Sequence, residues 1–113
     1  MTFVTFVGLD LHKRYITACA LTADGTLLGE VRRMPVTMDA LLDLLRALPT
    51  PAAIAMEATL YWAWLHDQLE RAGYAVHVVD AYKVKLIWQA RSQTDPIDAR
   101  KLAGLLRASS SAS

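Results

Sequence analysis

The first apolar segment of the chain, residues 3–9 (FVTFVGL), constrains the fold more than any other feature. Its β-branched and aromatic residues occupy both alternating faces, which predicts a strand covered on both sides of a sheet. A second strand is predicted over Tyr15–Thr22 and a third over residues 27–34. The Asp24-Gly25 pair between them favours a tight hairpin turn. Three strands therefore precede the first helix.

Helices and strands alternate in the rest of the chain. Prolines, glycines and the spacing of apolar residues mark their limits. The predicted elements are a helix from Thr37 to Pro49, a strand over residues 52–56, a helix with Trp62, Leu65 and Leu69 on one face that ends at Gly73, a strand over residues 74–79, and helices over residues 82–89 and 96–107. This order predicts an α/β protein with a ribonuclease-H-like mixed sheet of five strands and helices on both faces.

The composition favours one compact domain. The chain has 113 residues, 54% of them hydrophobic, which is enough for a core. No apolar run approaches the roughly 20 residues that span a bilayer and no basic segment precedes the first strand, so we expect a soluble protein with no membrane partner. Cys19 is the single cysteine, which fits the reducing cytoplasm. We expect a domain over residues 1–107 and a disordered tail over residues 108–113.

Two acidic residues, Asp10 and Glu57, stand at the ends of predicted buried strands. Functional groups of α/β sheets gather at the carboxyl ends of their strands. If the first and fourth strands are neighbours, the two carboxylates lie side by side, which is unfavourable unless a proton or a cation intervenes. Magnesium takes oxygen ligands and commonly uses one or two carboxylates. Asp80 also ends a predicted strand, where a turn or a helix cap explains it.

Asp95 and Asp98 are three residues apart at the start of the last predicted helix, so their carboxylates could share one ion. The segment 95–98 (DPID) is equally good helix-starting chemistry, with a capping Asp, a Pro and a further acid in the first turn. The spacing alone leaves both interpretations open. The three histidines have no ligand spacing with one another or with Cys19, which argues against zinc.

Three segments resemble the N-terminal domain of DEDD transposases of bacterial insertion sequences. They are residues 7–13 (VGLDLHK), residues 56–59 (MEAT) and a long block from Lys83 to Arg107 that contains ARSQTDPIDAR. The segments occur in the family's order and the resemblance covers nearly the whole chain. Two positions depart from the family pattern, since Gln93 stands where Lys is usual and Leu60 where Gly is common.

The resemblance implies a RuvC-like domain with the fold of Holliday-junction resolvases. It also implies that Mg²⁺ or Mn²⁺ is held by four acids for DNA strand cleavage and exchange: Asp10, Glu57, Asp95 and Asp98. Members of the family, which include relatives of pilin-gene invertases, are recombinases that excise and insert their element. Some are directed by a structured guide RNA. We expect DNA as the partner and a homo-oligomer in the full-length protein.

The last third of the chain is locally basic. Residues 1–80 hold six Lys or Arg and nine Asp or Glu, whereas from residue 81 onward six cations face only two acids. Solvated helix faces are the simple explanation. In a member of this family we expect contacts with the phosphate backbone that are sensitive to salt and largely blind to sequence, from Lys83, Lys85, Arg91 and Arg100.

Proteins of this family continue into a second domain that carries a serine proposed to attack DNA. The 113 residues contain no matching motif, so we expect them to keep the fold and the metal site without recombining DNA alone. One alternative is a non-catalytic module for guide-RNA binding or dimerisation. Another is the ATP-binding half of a sugar-kinase or actin-like fold, which needs small residues after Asp10, where residues 11–14 (LHKR) are bulky.

Overall fold

The computed structural model describes residues 2–57, 62–79 and 99–112 of the chain. Five strands and three helices lie in these ranges. In chain order they are β1 (Thr5–Leu11), β2 (Tyr15–Thr22), β3 (Arg32–Pro35), α1 (Met38–Arg46), β4 (Ala52–Glu57), α2 (Trp62–Arg71), β5 (Ala75–Val79) and α3 (Ala99–Ala112). None of the described helices is long and apolar enough to cross a membrane.

The five strands form one mixed sheet in the order β3-β2-β1-β4-β5. β1 pairs antiparallel with β2, and β2 with β3, as expected for strands that follow one another along the chain. β1 is parallel to β4, and β4 is parallel to β5, with α2 as the connection between the last two. The predicted ribonuclease-H-like sheet is therefore confirmed, and the first and fourth strands are neighbours.

One face of the sheet packs against α1 and α2 and is named the apolar face. Its large side chains exclude water from the space between sheet and helices, and burying each contributes about 1.5–3 kcal/mol to folding. The Thr37 hydroxyl caps α1 by accepting a hydrogen bond from the backbone N–H of Ala40 at 3.2 Å. The fully buried members of this face include Val7, Leu9, Ile16, Leu41, Leu45, Ile54, Met56, Leu65 and Leu69.

The opposite face packs against α3 and is named the small-residue face. Because side chains alternate along a strand, Gly8 lies on this face between Val7 and Leu9, which belong to the apolar face. The residues buried between this face and α3 are smaller on average: Cys19, Leu21, Ala55, Ala99, Leu102 and Ala103. The predicted arrangement of helices on both faces is confirmed.

The first strand is longer at its carboxyl end than the sequence predicts. Asp10 and Leu11 continue the antiparallel pairing, opposite Thr17 and Ile16 of β2. The parallel pairing with β4 ends one residue earlier, at Leu9 and Met56. Asp10 is thus paired with β2 one residue beyond Leu9 and Met56, the last pair of the parallel β1–β4 ladder.

Two other elements also differ from the prediction. β3 begins at Arg32 and not at residue 27, because Gly29 adopts a φ of +68° that interrupts an extended strand. α3 continues to Ala112 through residues predicted to be a disordered tail, and alanine and serine at these positions are compatible with a helix. The helix predicted over residues 82–89 lies outside the described residues.

Candidate active site

The acids Asp10 and Glu57 lie at the carboxyl ends of two neighbouring parallel strands. Each follows by one residue the pair Leu9 and Met56, which are partners in the β1–β4 register. The spacing between adjacent strands is about 4.8 Å, so the two backbones are close. Asp10 alternates with Leu9 and Glu57 with Met56, and both Leu9 and Met56 belong to the apolar face. The two acids therefore both lie on the small-residue face.

Both carboxylates are partly withdrawn from water at this rim. The side chain of Asp10 retains 15% of its exposure, and Glu57 is also of intermediate burial. Two adjacent acids with restricted hydration suit a hard cation, because carboxylate oxygen is the ligand that Mg²⁺ and Mn²⁺ prefer. The donor set on these strands thus fits a divalent metal.

Helix α3 begins directly above Gly8, on the same face as the two acids. A Cβ at Gly8 would overlap the carbonyl oxygen of Ala99 and would lie 2.6 Å from the backbone nitrogen of Ala103. At the other end of α3, the guanidinium of Arg107 donates to the carbonyl of Ala23 in the β2 hairpin at 3.5 Å. The helix therefore runs from the end of β1 that carries Asp10 towards the opposite end of the sheet.

A series of side-chain contacts leads from Asp10 towards β2 and β3. The Nε2 atom of His12 lies 2.9 Å from the Oδ2 atom of Asp10. The His12 ring stacks on the ring of Tyr15, with centroids 4.3 Å apart and an interplanar angle of 26°. The guanidinium carbon of Arg33 lies 4.0 Å from the centroid of the same Tyr15 ring. We name Arg33, Tyr15 and His12 the Arg-Tyr-His stack.

The turn between β1 and β2 fixes the position of this stack. The backbone N–H of His12 donates to the carbonyl of Tyr15 at 2.9 Å, which brings the two rings together. From the sequence, His12 was considered only as a possible zinc ligand, and its contact with Asp10 was not predicted. The two-residue spacing from Asp10 to His12 was a signal, but the stack with Arg33 depends on the pairing of β2 with β3.

Several predicted site residues lie outside the described residues, namely Asp95, Asp98, Lys83, Lys85 and Arg91. Their roles stay predictions. Arg100 is described and is exposed in the first turn of α3.

A second group of metal-capable side chains lies on α2. Potential ligand atoms of His66, Asp67 and Glu70 all lie within 4.8 Å of one another, and the His66 ring nitrogen is 3.5 Å from each of the two carboxylates. The two acids are exposed to solvent. This group was not predicted, although residues four apart on a helix, such as His66 and Glu70, are neighbours on its surface.

The comparison with known families identifies the chain. A family model of DEDD transposases, described as a transposase, matches residues 7–112. The chain belongs to the DEDD transposase family. No curated protein shows significant similarity to it. Membership makes DNA the expected partner, and proteins of this family usually bind divalent metal. It also favours a DNA-processing enzyme over the ATP-binding alternative.

Proposed function

We propose that this transposase domain binds Mg²⁺ or Mn²⁺ through Asp10, Glu57, Asp95 and Asp98 and uses the site for cleavage and exchange of DNA strands. The observation that carries the proposal is the placement of Asp10 and Glu57 on one face, at the carboxyl ends of the neighbouring parallel strands β1 and β4. The substrate would be the DNA of a bacterial insertion sequence, and the protein would act on it at the nucleoid in the cytoplasm.

The position of α3 supports the inclusion of Asp98. Ala99 follows Asp98 in the chain and its carbonyl lies against Gly8, two residues before Asp10 on the same face of β1. Asp95 is assigned by its match to the family motif, and its role as a ligand or as a helix cap is part of the proposal.

The acids would hold the cation together. Asp10 would be one of its ligands, with the Oδ2 atom of its carboxylate also in contact with His12. Glu57 would supply an oxygen from the adjacent strand. A bound divalent cation would stabilise negative charge on the oxygens of the reacting phosphodiester. The acids hold the cation, and the cations of the last third, Lys83, Lys85, Arg91 and Arg100, would hold the flanking backbone.

Recombination would also need the serine-bearing domain of the family. We propose that the 113 residues bind metal and DNA but do not exchange strands unless that domain is supplied. A structured guide RNA and assembly of several copies would be properties of the full-length protein. Supplying the second domain as a separate chain and assaying strand exchange tests this dependence, and strand exchange by the 113 residues alone would contradict it.

The metal proposal is tested by titrating Mn²⁺ into the wild-type chain and two variants, with calorimetry as the readout. Asp10→Asn removes a charge from the proposed site with little change in shape, and we expect saturable binding to weaken at least about ten-fold. Asp24→Asn removes an acid from the hairpin between β2 and β3 and is the matched control. It should bind Mn²⁺ as the wild type does.

The group on α2 requires a further variant because it also offers metal ligands. Glu70→Gln removes one of its three possible ligands and should leave the Mn²⁺ affinity of the Asp10 site unchanged. Loss of binding in Glu70→Gln together with normal binding in Asp10→Asn would place the metal on α2. Complete indifference of the wild type to metal would instead favour the non-catalytic module for guide RNA or dimerisation.

A further inference from the structure

A basic surface lies near Asp10. Its cations belong to residues 1–80, where the sequence did not predict a basic region. Lys13 and Arg14 are exposed in the turn between β1 and β2, and Arg32 and Arg33 are exposed on the edge strand β3. The register carries Asp10 to Thr17 of β2 and Thr17 to Arg33 of β3. Asp10, Thr17 and Arg33 therefore lie in one row across three neighbouring strands.

Neighbouring arginines on β3 lie on opposite faces of the sheet. Arg33 is the partner of Thr17, which alternates with the buried Ala18 of the apolar face, so Arg33 lies on the small-residue face with Asp10 and Glu57. Arg32 is the partner of Ala18 and lines a pocket next to α1 on the apolar face. Both residues are positively charged and exposed on the same strand, but they lie on opposite faces of the sheet.

The Arg33 guanidinium is held in place by the Arg-Tyr-His stack. Its guanidinium carbon lies 4.0 Å from the centroid of the Tyr15 ring, and the same ring stacks on His12 with centroids 4.3 Å apart. Stacking on an aromatic ring leaves the N–H groups at the edge of a guanidinium available as donors. A planar fork of donors with restricted motion suits a phosphate, which it can bind with two parallel hydrogen bonds.

We propose that Arg33, positioned by Tyr15 and His12, binds a backbone phosphate of the DNA that reaches Asp10 and Glu57. This inference rests on the proposed function of the acids. Two strand spacings separate Asp10 from Arg33, a distance of about 10 Å. This separation is only a few times the rise of a DNA strand, about 3.4 Å per nucleotide, so a single strand can contact both Arg33 and the acids. The Arg-Tyr-His stack thus sets the position of the DNA strand relative to the acids.

The structural alternative is that the arginines of β3 only protect a sheet edge. β3 is the first strand in the order of the sheet, and charged side chains on an edge strand discourage pairing with another chain. That role makes no distinction between Arg32 and Arg33, because both are exposed on the same edge strand. The pair is therefore a matched set for separating the two explanations.

The test is equilibrium binding of a short fluorescein-labelled DNA duplex to the 113-residue chain, measured by fluorescence anisotropy at several salt concentrations. Arg33→Gln keeps a polar side chain and removes the charge. We expect it to weaken binding about five-fold and to lower the slope of log affinity against log salt by about 1, because one phosphate contact is lost. Arg32→Gln should leave both the affinity and the slope at wild-type values.

A third variant tests the stack itself. Arg33→Lys keeps the positive charge but loses the planar fork and the stacking on Tyr15, so we expect only partial recovery of affinity. Full recovery would show that charge alone suffices and would overturn the role of the stack. Equal losses in Arg33→Gln and Arg32→Gln, no loss in Arg33→Gln, or no DNA binding by the wild type would each overturn the proposal.

Two further measurements separate this inference from the proposed function and from an RNA partner. The Arg33→Gln variant should bind Mn²⁺ with wild-type affinity, because Arg33 is not one of the proposed metal ligands. A wild-type chain that binds no Mn²⁺ but loses DNA affinity on Arg33→Gln would sink the metal proposal and leave this one standing. An effect of Arg33→Gln on an RNA duplex of the same sequence, with none on DNA, would replace DNA by RNA at this surface.

Discussion

The two faces of the sheet are covered in different ways. The apolar face is filled by large aliphatic side chains such as Leu9 and Ile54, which stand between the sheet and its two helices. On the small-residue face, Gly8 and Ala103 let the backbone of α3 come into contact with the backbone of β1. The first arrangement stabilises the domain by the area of apolar surface that it buries. The second holds a helix end close to the rim where Asp10 and Glu57 lie.

This difference separates stability from function within one sheet. A cavity on the apolar face removes packing energy but leaves the acids on their strands. A side chain added on the small-residue face displaces α3 and with it the chain that leads to Asp98. Substitutions on the two faces should therefore have different ratios of lost stability to lost metal affinity.

The largest loss of stability is expected on the apolar face. Ile54 is fully buried in β4, so Ile54→Ala leaves a cavity in the core. We expect the free energy of unfolding to fall by about 3 kcal/mol. Urea denaturation measures this change. The molecules that remain folded should bind Mn²⁺ with wild-type affinity, and a matching loss of affinity would remove the distinction between the faces.

A smaller loss of stability with a larger loss of metal affinity is expected at Gly8. Gly8→Ala places a methyl group on the backbone of Ala99 and Ala103, so α3 must move, at a cost of about 2 kcal/mol. Calorimetry with Mn²⁺ should show weaker binding at temperatures where the variant is folded. Gly104→Ala is the control in the same helix, because its Cβ would meet nothing within 4 Å. Better helix propensity should stabilise that variant by about 0.5–1 kcal/mol.

The cap of α1 sharpens the comparison, because it belongs to the apolar face but buries little surface. Thr37→Ala removes the acceptor for the Ala40 N–H, and we expect the free energy of unfolding to fall by about 1 kcal/mol with no change in metal or DNA binding. Thr37→Ser keeps the hydroxyl and is the control. Equal destabilisation by both variants would show that the hydroxyl does not act as a cap.

The smallest effect is expected at the hairpin beneath the far end of α3, and it depends on pH. A hydrogen bond from the Thr22 hydroxyl, together with those from Thr26, lowers the pKa of Asp24 from its usual value of 3.8 to about 2. The charged form is therefore favoured in the folded chain, and its stabilising contribution is present above pH 3.8 and disappears as the pH falls to about 2.

The variant Asp24→Asn measures this contribution. Above pH 3.8 its melting temperature should be slightly below that of the wild type, and the difference should shrink between pH 3.8 and 2. A difference that stays constant over this range would mean that the Asp24 charge does not stabilise the turn.

Local patterns were enough to predict most of the fold. β2 over Tyr15–Thr22 has the predicted limits, α1 begins directly after Thr37, and α2 ends shortly before Gly73. These features depend on a few adjacent residues. The extension of β1 to Leu11 could not be predicted in this way, because it depends on pairing with Ile16 in another strand.

The candidate site was predictable only in outline. The sequence placed Asp10 and Glu57 at strand ends, and their proximity followed once the first and fourth strands proved to be neighbours. Their role as metal ligands, with that of Asp95 and Asp98, stays a prediction. The contact of His12 with Asp10 was missed although the two residues are close in the sequence, and the stack with Arg33 was missed because it depends on the register of β2 with β3.

The sequence by itself determined the class of fold and the membership of the DEDD transposase family, and it predicted the four candidate acids, because hydrophobic period and short motifs are properties of adjacent residues. Only the tertiary structure decided which face those acids share and which residues surround them. The physical reason is the alternation of side chains along paired strands: the register between β1, β2 and β3 puts Arg33 on the same face as Asp10, two strands away, and Arg32 on the opposite face.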